Sequence, residues 1–233
     1  MKKPHATRAV LAMLVAFFMV ATAYAQSERS GVHYLYLIRH GDYDYERGAD
    51  PVAALGLNEL GREQARLVGE RLAALPLRPH ALIASPYRRA RETAEEIAPL
   101  IGIPPVIDTL IRECTPATER DDIMRRESPE EIAACEANLT VAWRKHATAS
   151  PDSNRRDVLV CHGNVIRWMV ARALGDDPRN WLRMSIGNAS ITVLAIHADG
   201  SVRVASFSDT GHLPAGRQTW TGSGAGWGSA KPR

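Results

Sequence analysis

Short apolar runs alternate along the chain with stretches whose apolar residues recur at helical spacing, and that alternation permits few folds. Val32–Ile38 reads as a buried strand. Asn58–Leu75 has apolar residues at 60, 67, 68, 72 and 75, one face of a helix, with Asn58 as its N-cap. His80–Ala84 is a second strand. Ser85-Pro86 then opens a helix to about Ile101, with Ser as cap and Pro as first helical residue. Val106–Leu110 is a further candidate strand, 116–126 a charged loop, and Pro129–His146 a helix. Asp157–Cys161 is a buried strand, followed by a helix over Asn164–Leu174 that stops at Gly175. Ser190–His197 and Ser201–Ser208 alternate around Asp199-Gly200, a hairpin signal. The expected fold is a single three-layer α/β/α domain over 26–220. Its sheet is mostly parallel, with an antiparallel C-terminal hairpin.

In such a sheet, ligands sit beyond the carboxyl ends of the strands. Three strand ends carry chemistry: Arg39-His40-Gly41, Ser85-Pro86-Tyr87-Arg88-Arg89-Ala90-Arg91-Glu92-Thr93, and Cys161-His162-Gly163-Asn164. If they converge, two imidazoles and at least two guanidiniums face one small volume, which then needs an anion. Phosphate suits it, because arginine offers its oxygens a planar bidentate fork. Helix N-termini after the second and last of these strands would add backbone N–H groups. His33 and His197 read as strand residues that face solvent or pack, and Trp143, Trp168 and Trp181 as core.

These elements resemble the histidine phosphatase, or phosphoglycerate mutase-like, superfamily. The likeness covers roughly 32–213 and rests on four ordered motifs: RHG, the Leu57…Gly61-Arg62-Glu63-Gln64-Ala65 helix, SPxxRAxxT, and a later HG. "CHGNVIRWMVARAL", "WLRMSIGNASIT" and "SDTGHLP" are most similar to the mitochondrial serine/threonine phosphatase branch. Asp42-Tyr43-Asp44, Cys114 and His212 depart from that branch. The resemblance implies that His40 attacks phosphorus and forms a phosphohistidine, its other nitrogen held by a carbonyl. Arg39, Arg89 and His162 would hold the phosphoryl oxygens and neutralise charge, with Gly163 beside them. Glu113 would protonate the leaving oxygen and then deprotonate water. Arg88 lies ~100° from Arg89 on a helix, and the R-A-x-x-T spacing selects Arg89. Asn188 either contacts phosphate or caps a turn. No metal or cofactor is implied. The substrate is a phosphorylated small molecule or a phosphoprotein, and assembly into a homo-oligomer is an expectation from the same branch. A mutase, an inactive phospho-binding scaffold and a metal site built on His40 and His162 are the competing readings.

The N-terminus carries Lys2, Lys3 and Arg8, an apolar run Ala9–Ala25 and an Ala23-x-Ala25 exit, the pattern of a secretory signal peptide cleaved after Ala25. Export, into a bacterial periplasm, is therefore expected. The alternative is an uncleaved anchor, since the run sits at the lower limit of the roughly 17–25 residues that span a bilayer. Once those three cations are removed from 29 Lys+Arg, 26 face 26 Asp+Glu. A formally neutral chain gives no electrostatic case for nucleic acid. Three scattered cysteines make neither a disulfide framework nor a zinc site. A Cys114–Cys135 bridge would suit an exported protein, and Cys161 reads as a buried thiol. The Gly/Ser-rich 221–233 reads as a flexible tail.

Overall fold

The computed structural model describes residues 31–46 and 48–220. The expected signal segment 1–25 and tail 221–233 lie outside them. The elements are β1 (His33–Arg39), α1 (Glu59–Ala73), β2 (Ala81–Ala84), α2 (Arg88–Ile101), β3 (Pro105–Ile107), α3 (Asp121–Met124), α4 (Pro129–His146), β4 (Arg155–Cys161), α5 (Gly163–Ala173), β5 (Ile191–Ile196) and β6 (Val202–Asp209). They form one six-stranded sheet in the order β3-β2-β4-β1-β5-β6. β3, β2, β4 and β1 pair in parallel, while β5 pairs antiparallel to both β1 and β6.

The strands are apolar on both faces because helices cover both. Alternate residues Leu35, Leu37 and Leu159 join α4 and α5 in one core. Ile38, Val158 and Val160 face the other way and join α1 and α2 in a second. The three-layer architecture expected from the alternation is therefore present. No helix among the described residues is long and apolar enough to cross a membrane.

Local signals explain most element ends. Asn58 accepts from the Gly61 N–H at 2.9 Å and caps α1. Ser128 and Glu131 form a reciprocal capping box at α4, with Pro129 at its start. Gly102 and Gly200 take left-handed φ at a helix end and at the hairpin. Three expectations are corrected. α2 begins at Arg88, so Ser85 is not its cap and Pro86 not its first residue; the Ser85 hydroxyl instead lies 2.7 Å from His162 Nε2. β3 stops at Ile107, because Asp108 turns the chain by accepting from the Leu110 N–H. The 116–126 loop contains one helical turn, α3.

The topology places the site. β4 lies between β1 and β2, so the three strands bearing RHG, SPYRRA and CHG are neighbours and end on one sheet edge. The Leu57…Gly61-Arg62-Glu63-Gln64-Ala65 motif explains itself as packing. A Cβ on Gly61 would run into the Asp42 carbonyl, and one on Gly41 into Gly61, so α1 can approach the RHG loop only with both glycines. Buried Gln64 then accepts from the Asp42 N–H at 2.8 Å and donates to the Arg217 carbonyl at 2.7 Å.

Candidate active site

His40 is buried at the end of β1, and its backbone is held from several sides. Its carbonyl accepts from the Ala189 N–H at 3.1 Å. The next residue, Gly41, donates its N–H to Thr93 Oγ1 at 3.0 Å, and Thr93 donates in turn to the Arg89 carbonyl at 2.7 Å. This pair of bonds is the physical content of the R-A-x-x-T spacing: one helical turn separates the arginine from the hydroxyl that anchors the loop. Thr93→Val keeps the shape but leaves the Gly41 N–H unpaired in the core. It is expected to cost about 1–3 kcal/mol of stability, read from denaturant unfolding.

The ring of His40 has a defined tautomer. Its Nδ1 lies 2.8 Å from the Gly41 carbonyl, which can only accept, so Nδ1 carries the proton. Nε2 therefore holds the lone pair, and Arg89 Nε donates to it at 3.1 Å. Asn188 Nδ2 donates to the same Gly41 carbonyl at 3.3 Å, so the amide supports the group that orients the ring. Ala189 holds a left-handed φ of 52°, a conformation that costs a non-glycine residue roughly 1–2 kcal/mol. His212, the departure from the related branch, donates Nε2–H to the Ala189 carbonyl at 3.1 Å.

His162 follows β4 and is fully buried, its ring centroid 5.2 Å from that of His40. Ser85 Oγ accepts from the Tyr87 N–H and pairs with His162 Nε2 at 2.7 Å, which leaves the other ring nitrogen, Nδ1, facing away from the serine. That Nδ1 has no partner within the described residues and is available to an anion. The Arg89 guanidinium lies between two rings, 4.8 Å from the centre of Tyr43 and 5.2 Å from that of Tyr87. Its Nη1 is likewise buried and unpartnered. Arg39 donates Nη1–H to the Ile186 carbonyl at 2.6 Å. Arg88 turns away to Glu92 at 2.7 Å, as the helical angle requires.

Glu113 stands on the loop after β3, with carboxylate oxygen Oε1 buried and unpartnered. Burial pushes its pKa up, against the opposing pull of Arg89, Arg39 and Arg167. Burial also lowers Arg39 to about 10. His40 lies well below the ordinary 6.5, first because of burial, then because Arg89, His162 and Arg39 disfavour a second proton. His162 is lowered in the same way by burial and the two arginines. Both imidazoles are thus neutral near pH 7. The arginines carry the positive charge.

The unfolded chain protonates these imidazoles near 6.5 while the folded one does not. Stability is therefore full above 6.5 and lost as pH falls below it. Each contributes up to about 1.4 kcal/mol per pH unit, with His146 and His212, also lowered by burial, acting in the same direction. Urea unfolding between about pH 7 and pH 5 is expected to show a falling midpoint.

A cleft of about 710 Å³ opens above His40 and Glu113. Its walls mix Tyr43, Trp181, Met184 and Ile186 with Arg167 and Asn164. Gly163, at the start of α5, lines it too, so the positive end of that helix faces the cleft. Sequence reading missed the two tyrosines around Arg89, the Ser85–His162 bond and Arg167. Tyr87 lies inside the SPYRRA motif, and Arg167 is one turn after Gly163. Both were adjacent to recognised residues, but nothing local marks a side chain as packing on a guanidinium. Trp181 is buried as expected, yet also walls the cleft, its Nε1 donating to the Ala117 carbonyl at 3.0 Å. His33 is buried and lies 3.2 Å from Asp157.

A neutral imidazole with its lone pair turned toward arginine, a second buried imidazole with a ring nitrogen unpartnered among the described residues, and a carboxyl held above its ordinary pKa together suit acid-assisted transfer of a phosphoryl group to nitrogen. The chain belongs to the histidine phosphatase superfamily (branch 1), whose family model matches residues 35–134 and 115–210. It is 37% identical over 187 residues to the human mitochondrial serine/threonine-protein phosphatase PGAM5, covering 78% of this chain and 64% of that protein. The Caenorhabditis briggsae counterpart is 38% identical over 194 residues, covering 80% and 66%. The chain thus spans just under two thirds of the length of these relatives. Among solved structures, mycobacterial glucosyl-3-phosphoglycerate phosphatase is similar at 26% identity and a TM-score of 0.55, covering 77% of this chain and 100% of that one.

Proposed function

We propose that this chain is an exported phosphomonoesterase that works through a phosphohistidine on His40, with phosphoserine and phosphothreonine in proteins as its substrates. The observation that carries the chemistry is the His40 ring, with its Nδ1 proton committed to the Gly41 carbonyl and Nε2 turned toward Arg89. An arriving phosphoryl group takes over the Arg89 N–H bonds and frees the lone pair. Nε2 bonds to phosphorus as the ester P–O bond breaks, and Glu113 gives its proton to the leaving oxygen. The resulting carboxylate takes a proton from water, which attacks phosphorus. The P–N bond then breaks, the lone pair returns to Nε2, and orthophosphate leaves.

Arg39, Arg89 and His162 hold the equatorial oxygens, with the Gly163 N–H and the Asn188 amide beside them. Chain similarity to proteins named serine/threonine phosphatases supports the substrate class, as does a cleft roomy enough for more than a small leaving group. Export rests on the charged, apolar and Ala23-x-Ala25 pattern of the N-terminus. The test is a panel of phosphopeptides and small phosphoesters, with released orthophosphate measured against phosphoryl transfer to a second alcohol. Release from phosphopeptides is the expected result. Dominant transfer would make the chain a mutase, and binding without turnover a scaffold.

A further inference from the structure

Glu113 sits on the least regular segment of the site, yet the backbone around it is pinned. Tyr87 Oη donates to the Glu113 carbonyl at 3.3 Å, Asn164 Nδ2 to the Cys114 carbonyl at 3.0 Å, and Trp181 Nε1 to the Ala117 carbonyl at 3.0 Å. All three donors lie on the α2, α5 and 181–186 sides. On the α4 side Ile111 packs on Leu139 and Ala142, but beyond it lies a cavity of about 260 Å³, lined by Glu113, Thr115, Glu131 and Asn138. One covalent link borders it: Cys114, the residue after Glu113, is disulfide-bonded to Cys135 of α4, with Cα atoms 5.7 Å apart. Cys135 is buried in the core, so the bridge ties the acid to a rigid element.

We propose that the Cys114–Cys135 disulfide is a positioning device for proton donation, holding the Glu113 carboxyl against the leaving oxygen; this rests on the reading of Glu113 as the acid. A dithiol that enters the cavity supplies two electrons and two protons. The Sγ–Sγ bond breaks, two thiols form, and the reductant leaves as a disulfide. The loop then keeps its hydrogen bonds but loses the covalent tie to α4 beside Glu113, and proton transfer is sensitive to small displacements of the acid. Phosphoryl transfer to His40 from an ester whose leaving group needs no proton has no reason to slow equally.

The experiment measures single-turnover phosphorylation of the full chain by p-nitrophenyl phosphate and by an alkyl phosphate. Oxidised enzyme, enzyme reduced with dithiothreitol, the Cys135→Ala variant and an oxidised Glu113→Gln variant are compared. Reduction and Cys135→Ala are each expected to lower the alkyl-to-aryl rate ratio by about tenfold or more, with recovery when the reduced enzyme is reoxidised. An unchanged ratio in folded, reduced enzyme would overturn the proposal if Glu113→Gln still lowers it. If Glu113→Gln leaves the ratio unchanged as well, the acid assignment itself fails. Should Cys135→Ala not fold, the reduced wild-type chain decides the matter.

Discussion

His40→Ala is expected to lose at least about 10⁴-fold in kcat, the largest effect of any single change in this molecule. The remaining arginines and His162 can still bind a phosphoryl group, so affinity for inorganic phosphate is expected to survive. What disappears is the nitrogen that splits hydrolysis into two displacements. The fold has good reason to tolerate the change: the ring's own bonds go to the Gly41 carbonyl, which Asn188 also holds, and to Arg89, which the two tyrosines also hold. Rapid quenching of the wild-type reaction is the matching measurement. An acid-labile phosphate should appear on His40 and be missing from the variant. Turnover retained in the variant, or label on another side chain, would remove His40 from its role.

Glu113→Gln is expected to cost about 10²–10⁴-fold in turnover of alkyl phosphates and much less in phosphorylation by p-nitrophenyl phosphate. Glutamine preserves the shape and removes the proton. The pH dependence follows from burial, which raises the carboxyl above its ordinary value against three arginines. Glu113 therefore stays protonated to a higher pH than an exposed glutamate. For an alkyl ester, kcat/KM of the wild type is expected to fall as pH rises through that raised pKa. This limb should be absent from the glutamine variant, leaving only the ionisation of the substrate. A variant retaining the full alkaline limb would show that another group donates the proton.

Much of the fold was legible because periodicity reports burial. Val158 and Leu159 could be apolar side by side only in a strand covered on both faces, and the two cores confirm it. The capping residues Asn58 and Ser128 were equally local signals, satisfied within three residues. Ser85 misled for the same reason: it stands where a cap belongs, but its hydroxyl is taken by His162, which lies 77 positions away. The clamp of Tyr43 and Tyr87 on Arg89 was invisible likewise, since no spacing rule links residues 43 and 89.

The amino-acid order alone determined most of the strands and helices, which strand ends carry imidazole and guanidinium, and that phosphate chemistry suits them, because each of these follows from neighbours within a turn or two. Only the folded sheet decided that the two imidazoles are neutral, that Nε2 of His40 faces the arginine, and that the carboxyl of Glu113 is held above its usual pKa. Those properties arise from burial and from charges brought together across long chain separations, and protonation responds to that assembled field.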